Sequence, residues 1–226
     1  MIRSQALHWL LHGLGLTAAG TQVSPAERAA LLRRAIGRRR LVEIGVWHGA
    51  TTRRLREVMA EDGEITGVDP FPPGRLGVSF PLRIARREIA RCPRGRFTLL
   101  RATGAAAARG WTGPVDFLFI DGDHTWDGVR GDWEGWARQV EPGGVVCLHD
   151  SRSTASRPIE NAGSVRYAAE VIARDPRFEV VEEVETLTVL VRRAEPTDGR
   201  AVPGAGERPA GPADVGASPP PPTRSP

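Results

Sequence analysis

The sequence predicts a single α/β domain on a doubly wound, mostly parallel sheet of seven strands. Three observations predict it. Short β-rich runs alternate with helical patterns through most of the 226 residues. The last two runs are too close together for anything but a hairpin, and a glycine-bearing loop follows the first run. Parallel neighbours need a crossover over the sheet face, which the intervening helices supply.

The first twenty residues place Leu7, Leu10, Leu11 and Leu14 at three- and four-residue spacing, which suits an amphipathic helix. Arg3 and an apolar stretch give this segment the look of a signal peptide, but His8 and His12 interrupt the stretch and favour a helical extension over residues 1–24. The domain proper is expected over 25–194. Its strands are Leu41 to Gly45, Glu64 to Asp69, Phe97 to Arg101, Val115 to Asp121, Gly144 to His149, Phe178 to Glu182 and Thr186 to Val191. Its helices are Pro25 to Ile36, Ala50 to Ala60, about Leu82 to Arg91, Trp126 to Gln139 and Ser164 to Arg174. Only Glu183 to Glu185 separate the last two strands, so that pair is antiparallel. From Glu195 onward the chain holds nine Pro and five Gly and hardly a large apolar side chain, so 195–226 is expected as a disordered tail.

Composition narrows the function classes. At 40% hydrophobic and 26% charged residues the chain can bury a core, and no run reaches the roughly 18 uninterrupted apolar residues of a membrane span. There is no lysine, so the 31 basic residues are all arginine; against 27 acids they leave a net charge of +4. A nucleic-acid binder concentrates a larger surplus on one face, whereas these arginines are interleaved with acids. Cys92 and Cys147 are too few for a disulfide framework or a multi-cysteine zinc site, which makes a reducing cytoplasm the default location.

Chemistry concentrates at strand ends. The first strand runs into Glu43-Ile44-Gly45-Val46-Trp47-His48-Gly49 and a helix begins at about Ala50. Gly45 allows a tight turn and Gly49 a close approach of backbone to ligand. The spacing G-x-x-x-G differs from the G-x-G-x-x-G that seats a pyrophosphate, so a ligand without phosphates is expected. Asp69, at the end of the second strand, can accept both hydroxyls of a ribose, although an acid there can also simply cap a helix. The most distinctive stretch is Val115-Asp116-Phe117-Leu118-Phe119-Ile120-Asp121-Gly122-Asp123-His124-Thr125, followed by Glu141-Pro142-Gly143-Gly144 and His149-Asp150.

On these motifs, in this order, the chain resembles class I S-adenosylmethionine-dependent methyltransferases, in the branch with macrolide-sugar and antibiotic O-methyltransferases and cephalosporin-hydroxylase-like proteins. The resemblance spans about residues 25 to 193. It implies a Rossmann-like sheet of order 3-2-1-4-5-7-6, with Glu43, Gly45 and Gly49 along the methionine part of the cofactor and Asp69 on its ribose. It also implies that Ala102-Thr103-Gly104 approaches the adenine. From the macrolide-sugar enzymes it implies a divalent metal, Mg²⁺ or another, held by Asp121 and Asp150, with His124 as general base. His149 stands where relatives carry a second acid, and imidazole is a poor Mg²⁺ ligand; it enters the expected metal set as Asp121, His149 and Asp150.

The resulting expectation is an O-methyltransferase acting on a hydroxyl of a sugar or other natural-product intermediate, with a small-molecule partner, no nucleic acid and no membrane. Two alternatives stand beside it: a nicotinamide-dependent oxidoreductase, and a non-catalytic S-adenosylmethionine-binding protein. Asp123 is expected to cap the helix near Trp126. Trp126, Trp133 and Trp136 are expected in the core or at a subunit contact, which leaves room for a homo-oligomer, and Cys147 fills the core. Arg83, Arg86, Arg87, Arg91, Arg94 and Arg96 read as a solvated face, or as a partner for an anionic substrate. Residues 71–81 and the N-terminal helix are expected to select the substrate.

Overall fold

The structure, a computed structural model, describes residues 4–74 and 77–194; the tail expected over 195–226 lies outside the described residues. Seven strands form one sheet of order β3-β2-β1-β4-β5-β7-β6. They are β1 (Arg40–Ile44), β2 (Glu64–Val68), β3 (Arg96–Leu100), β4 (Val115–Ile120), β5 (Val140–Leu148), β6 (Phe178–Val184) and β7 (Leu187–Arg192). β1 pairs in parallel with β2 and β4, and β7 runs antiparallel between β5 and β6. The hairpin turn is tighter than expected, Glu185-Thr186, with Glu185 at φ 50°.

The helices are α1 (Gln5–Gly13), α2 (Pro25–Ala35), α3 (Ala50–Val58), α4 (Phe80–Ile89), α5 (Gly104–Arg109), α6 (Trp126–Trp136) and α7 (Gly163–Glu170), with a 3₁₀ turn at Ile172–Arg174. Strand alternation divides the core into two layers. Val42, Ile44, Leu118, Ile120, Val146 and Leu148 face one way, onto Trp133, Trp136 and Tyr167 of α6 and α7. Leu41, Phe117, Phe119, Val145 and Cys147 face the other, onto Leu31 and Leu55 of α2 and α3. Both faces are covered, as a parallel sheet requires.

Several expectations need correction. Helix α5 was not foreseen: Gly-Ala-Ala-Ala-Ala-Arg carries no apolar periodicity, and its start is set by Thr103, whose hydroxyl accepts the Ala106 N–H at 3.3 Å. The Glu141-Pro142-Gly143-Gly144 turn lies inside β5, not before it. Val115 aligns with Val140 and Phe117 with Val145, so the extra residues bulge out, with Gly143 at φ 77°. The helix expected over Ser164 to Arg174 breaks at Val171, between α7 and the 3₁₀ turn.

Helix α1 turns its leucine face outward. Leu7, Leu10 and Leu14 are 47%, 51% and 65% exposed, while His12 is fully buried. The docked face is polar and aromatic: His12 Nε2 lies 3.0 Å from Glu88 Oε2 on α4, and Trp9 packs on Phe80 at 5.8 Å between ring centroids. No helix among the described residues is long and apolar enough to cross a membrane.

Candidate active site

Beyond the carboxyl ends of β1, β2 and β4 lies a cavity of about 740 Å³, the place where open α/β sheets bind ligands. Its floor exists because residue 45 is a glycine. Gly45 has φ 93°, and a Cβ there would stand 1.9 Å from the Asp121 carbonyl oxygen. Gly49 also has a left-handed φ, 75°, but its missing side chain makes room for Ile89 of α4, 2.9 Å from where a Cβ would be. It caps α3 and does not line the cavity. The expected ligand approach at Gly49 is therefore a helix-packing requirement.

Asp69 lines the cavity and binds the loop around it. Its Oδ2 accepts the Trp47 N–H at 2.9 Å and its Oδ1 the Phe71 N–H at 2.8 Å. Trp47 and Phe71 are both non-glycine residues in the left-handed region, at φ 44° and 45°. One carboxylate thus holds two strained backbone positions and keeps lone pairs for a ligand.

Glu43 is fully buried and outside the cavity lining. Neither of its carboxyl oxygens has a hydrogen-bond partner. Burial pushes its pKa up to about 8, with Asp121 and Asp69 adding to the rise and Thr52 opposing it, so it is predominantly neutral at pH 7. A direct contact with the methionine part of a cofactor is not available to it in this arrangement.

Residues 20–22, after α1, line the cavity as a strap. His48 anchors it: Nδ1 accepts the Gly20 N–H at 3.1 Å, Nε2 faces Gln5 Oε1 at 3.0 Å, and the ring stacks on Trp47 at 4.0 Å. Burial, with His8 and His12 nearby, pushes the His48 pKa down to about 4, so the ring is neutral and can accept that bond.

At the end of β4, Asp121 and His124 line the cavity together, with His124 Nε2 3.4 Å from Asp121 Oδ1. His149 lies behind them, almost fully buried. Its Nδ1 is 2.9 Å from Asp121 Oδ1 and its Nε2 3.3 Å from Glu27 Oε2. Burial alone would lower the His149 pKa, but hydrogen bonds to Asp121 and Glu27 push it up to about 10. Asp121 shows the converse: burial would raise it, and His124 and His149 hold it below the ordinary carboxylate range. Asp150, at φ 48°, pairs through Oδ2 with Arg157 and leaves Oδ1 buried without a hydrogen bond, 3.8 Å from His149 Nδ1.

For a divalent cation, Asp121, His124 and His149 each offer a ligand atom, all within 4.8 Å of one another. Two unsatisfied buried atoms in the cluster, His124 Nε2 and Asp150 Oδ1, fit such an occupant. Two imidazoles in the set suit zinc or a later transition metal better than Mg²⁺. Asp150 is outside the compact triple, and its Oδ2 pairs with Arg157.

Sequence reasoning missed Glu27, Asp132 and the strap. Glu27 was legible as the fourth residue of Ser24-Pro25-Ala26-Glu27, a capping box: Ser24 Oγ accepts the Glu27 N–H and Glu27 Oε2 the Ser24 N–H. Asp132 was legible as an acid on the buried stripe Val129, Asp132, Trp133, Trp136 of α6. Asp123 does not cap α6; Thr125 does, and Asp123 Oδ1 instead accepts the Thr125 N–H.

Asp69, Asp121, Asp123, Asp127 and Asp132 line the cavity, and no arginine does among the described residues. That lining suits a cationic sulfonium ligand and repels a pyrophosphate, which counts against a nicotinamide cofactor. Sheet order, the glycine floor and a cavity at the carboxyl ends of the strands are those of the class I methyltransferase fold. Residues 42–151 match the family model described as a methyltransferase domain. Among solved structures, the chain is similar to an O-methyltransferase from Bacillus cereus in complex with S-adenosylhomocysteine, at 19% identity and TM-score 0.56, covering 85% of this chain and 92% of that one. It is also similar to a methyltransferase from Podospora anserina with S-adenosylhomocysteine bound, at 14% identity and TM-score 0.60, covering 86% and 89%. An rRNA methylase from Streptococcus thermophilus matches at 13% identity and TM-score 0.51, covering 74% and 94%.

Proposed function

We propose that this chain is an S-adenosylmethionine-dependent methyltransferase that transfers the cofactor's methyl group to a hydroxyl oxygen of a small molecule, with His124 as general base. The observation that carries the reading is His124 itself: a partly exposed imidazole on the cavity lining, 3.4 Å from a carboxylate held ionised. In the reaction the acceptor hydroxyl gives its proton to His124, and Asp121 stabilises the imidazolium that forms. The oxygen attacks the sulfonium methyl in line, the O–CH₃ bond forms as the C–S bond breaks, and the bonding pair stays on sulfur as S-adenosylhomocysteine. The chain's main contribution to rate is holding donor and acceptor in that line. A divalent cation at Asp121, His124 and His149, whose ligand atoms lie within 4.8 Å of one another, would supply Lewis acidity to the acceptor oxygen, and His124 would then be a ligand in place of the base.

A small-molecule acceptor is favoured over RNA because five aspartates line the cavity and would repel a phosphate backbone. The test begins with calorimetric titration of S-adenosylmethionine, S-adenosylhomocysteine and NAD, each with and without Mg²⁺, Zn²⁺ or EDTA. Methyl transfer from labelled donor is then followed across a panel of sugars, phenols and other hydroxyl compounds. Cofactor binding with turnover on some hydroxyl acceptor supports the reading. Binding of NAD alone, or methylation of RNA in place of any small hydroxyl compound, defeats it.

A further inference from the structure

Helix α1 carries an apolar stripe that the domain leaves uncovered. Leu7, Leu10 and Leu14 recur at three- and four-residue spacing and are exposed, as is Leu16 just past the helix end. With 3.6 residues to a turn, these leucines centre on the side of α1 opposite His8, Trp9 and His12. That opposite side is the docked one. His12 meets Glu88 of α4, Trp9 packs on Phe80, and the His8 ring stands 4.8 Å from that of His48. The contacts that hold the helix therefore fix the leucines outward, in a contiguous patch of the kind that marks an interaction surface.

The border of the stripe is basic. No Asp or Glu precedes Glu27 in the chain, and Glu27 is buried. The neighbouring α4 holds Arg83, Arg86 and Arg87, all exposed, on one helical face. Its single acid, Glu88, is buried and already taken by His12, Arg53 and Arg91. Among the described residues none of the three arginines forms an ion pair. Two of them lie against α1: the Arg83 guanidinium sits 5.3 Å over the Trp9 ring, and Arg87 reaches Gly13, where a Cβ would stand 2.3 Å from its Nη1. Gly13 adjoins Leu10 on the helix surface, so the cations run beside the leucines. Leucines bordered by unpaired arginines match a surface that is apolar beneath an anionic layer, which is the arrangement of acyl chains under phosphate headgroups. A second copy meeting this one patch to patch would instead bring two arginine borders into one seam without acids to pair them.

We propose that α1 and α4 form a surface that lies on an anionic phospholipid bilayer, with the α1 leucines at the acyl boundary and Arg83, Arg86 and Arg87 on the headgroup phosphates. The expectation of no membrane partner rests on the lack of a spanning run, which a helix lying in the interface does not need. The test is cosedimentation of the full chain with vesicles of phosphatidylcholine alone and of phosphatidylcholine with phosphatidylglycerol, at low and high salt. Affinity for the anionic vesicles is expected to be about tenfold or more above that for the neutral ones, and to fall with salt. Leu10→Ser with Leu14→Ser, at exposed positions, is expected to keep the melting temperature and to weaken anionic-vesicle binding by about tenfold or more. Arg83→Gln, Arg86→Gln and Arg87→Gln together are expected to weaken it by a similar factor of about ten. The proposal is overturned if the wild type binds neither vesicle or both equally, a comparison that needs no variant. Wild-type affinity in the leucine variant also overturns it, because charge alone would then hold the chain. A wild-type dimer by sedimentation velocity that the leucine substitutions dissociate, without vesicle binding, assigns the stripe to a second copy instead.

Discussion

Glu27 and His149, 122 residues apart in the chain, meet with Glu27 Oε2 3.3 Å from His149 Nε2, and neither is exposed. Glu27 is therefore both a member of the capping box of α2 and the outer end of a chain Glu27–His149–Asp121–His124 that reaches the cavity. Its other oxygen accepts the Thr186 N–H at 2.9 Å and the Thr186 hydroxyl at 2.6 Å, at the turn of the final hairpin.

Glu27→Gln leaves His149 with Asp121 as its remaining hydrogen-bonded anion. Loss of a hydrogen bond to a charged group costs about 1.5–3 kcal/mol, and thermal unfolding at pH 6 is the measurement. Burial would raise the Glu27 pKa, but hydrogen bonds from His149, Thr186 and Ser24 bring it from 4.5 down to about 2. A depressed acid contributes stability that is complete above 4.5 and is lost as pH falls through about 2. The gap between wild type and Glu27→Gln is accordingly expected to be wide at pH 6 and narrow near pH 2.

Asp121→Asn keeps the shape of the site but removes the charge that orients His124. Turnover on an accepted hydroxyl compound is expected to fall by about 10²-fold or more. S-adenosylhomocysteine affinity, measured by calorimetry, should stay near the wild-type value. Full turnover in this variant would remove His124 and Asp121 from their roles together.

Glu43 and Asp132 predict a loss of stability toward alkaline pH. Their pKa values are raised, from 4.5 to about 8 and from 3.8 to about 7, mainly by burial. The folded chain then holds protons that the unfolded chain releases, so stability declines as pH rises from about 4 to about 8. Glu43→Gln cannot ionise, and its melting temperature relative to wild type is expected to improve steadily from pH 5 to pH 9. A constant difference across that range would show that Glu43 ionises normally.

Gly45→Ala tests the cavity floor. A Cβ 1.9 Å from the Asp121 carbonyl oxygen, on a residue at φ 93°, forces the β1 and β4 ends apart. Destabilisation of about 3 kcal/mol or more is expected by denaturant titration, with S-adenosylhomocysteine binding lost. Gly37→Ala, where nothing lies within 4 Å of the added atom at φ 71°, carries the backbone strain alone and is the control.

The strands were legible because each is a short β-rich run bounded by turn residues, and Gly45, Asp69, Asp121 and His124 were legible because their motifs lie at strand ends. α5 was not, because six residues of glycine, alanine and arginine carry no apolar face to read. The orientation of α1 was not legible for a different reason. Leucine spacing shows that a helix has an apolar side, but whether that side is covered depends on what the rest of the chain presents. Here Glu88 on α4, flanked by Arg53 and Arg91, draws His12 inward and leaves the leucines outside.

By itself the sequence determined the alternation of strands and helices, the closing hairpin and the acids at the strand ends, since these follow from periodicity and turn chemistry within a few residues. Only the tertiary structure decided that Glu27 meets His149, that Gly49 serves α4 and not the cavity, that Arg157 pairs with Asp150, and that the Asp132 carboxyl lies against Gly104 and Gly122. Each depends on desolvated polar groups finding partners far along the chain. In a buried setting such pairing is strong, but no local pattern records which partner is found.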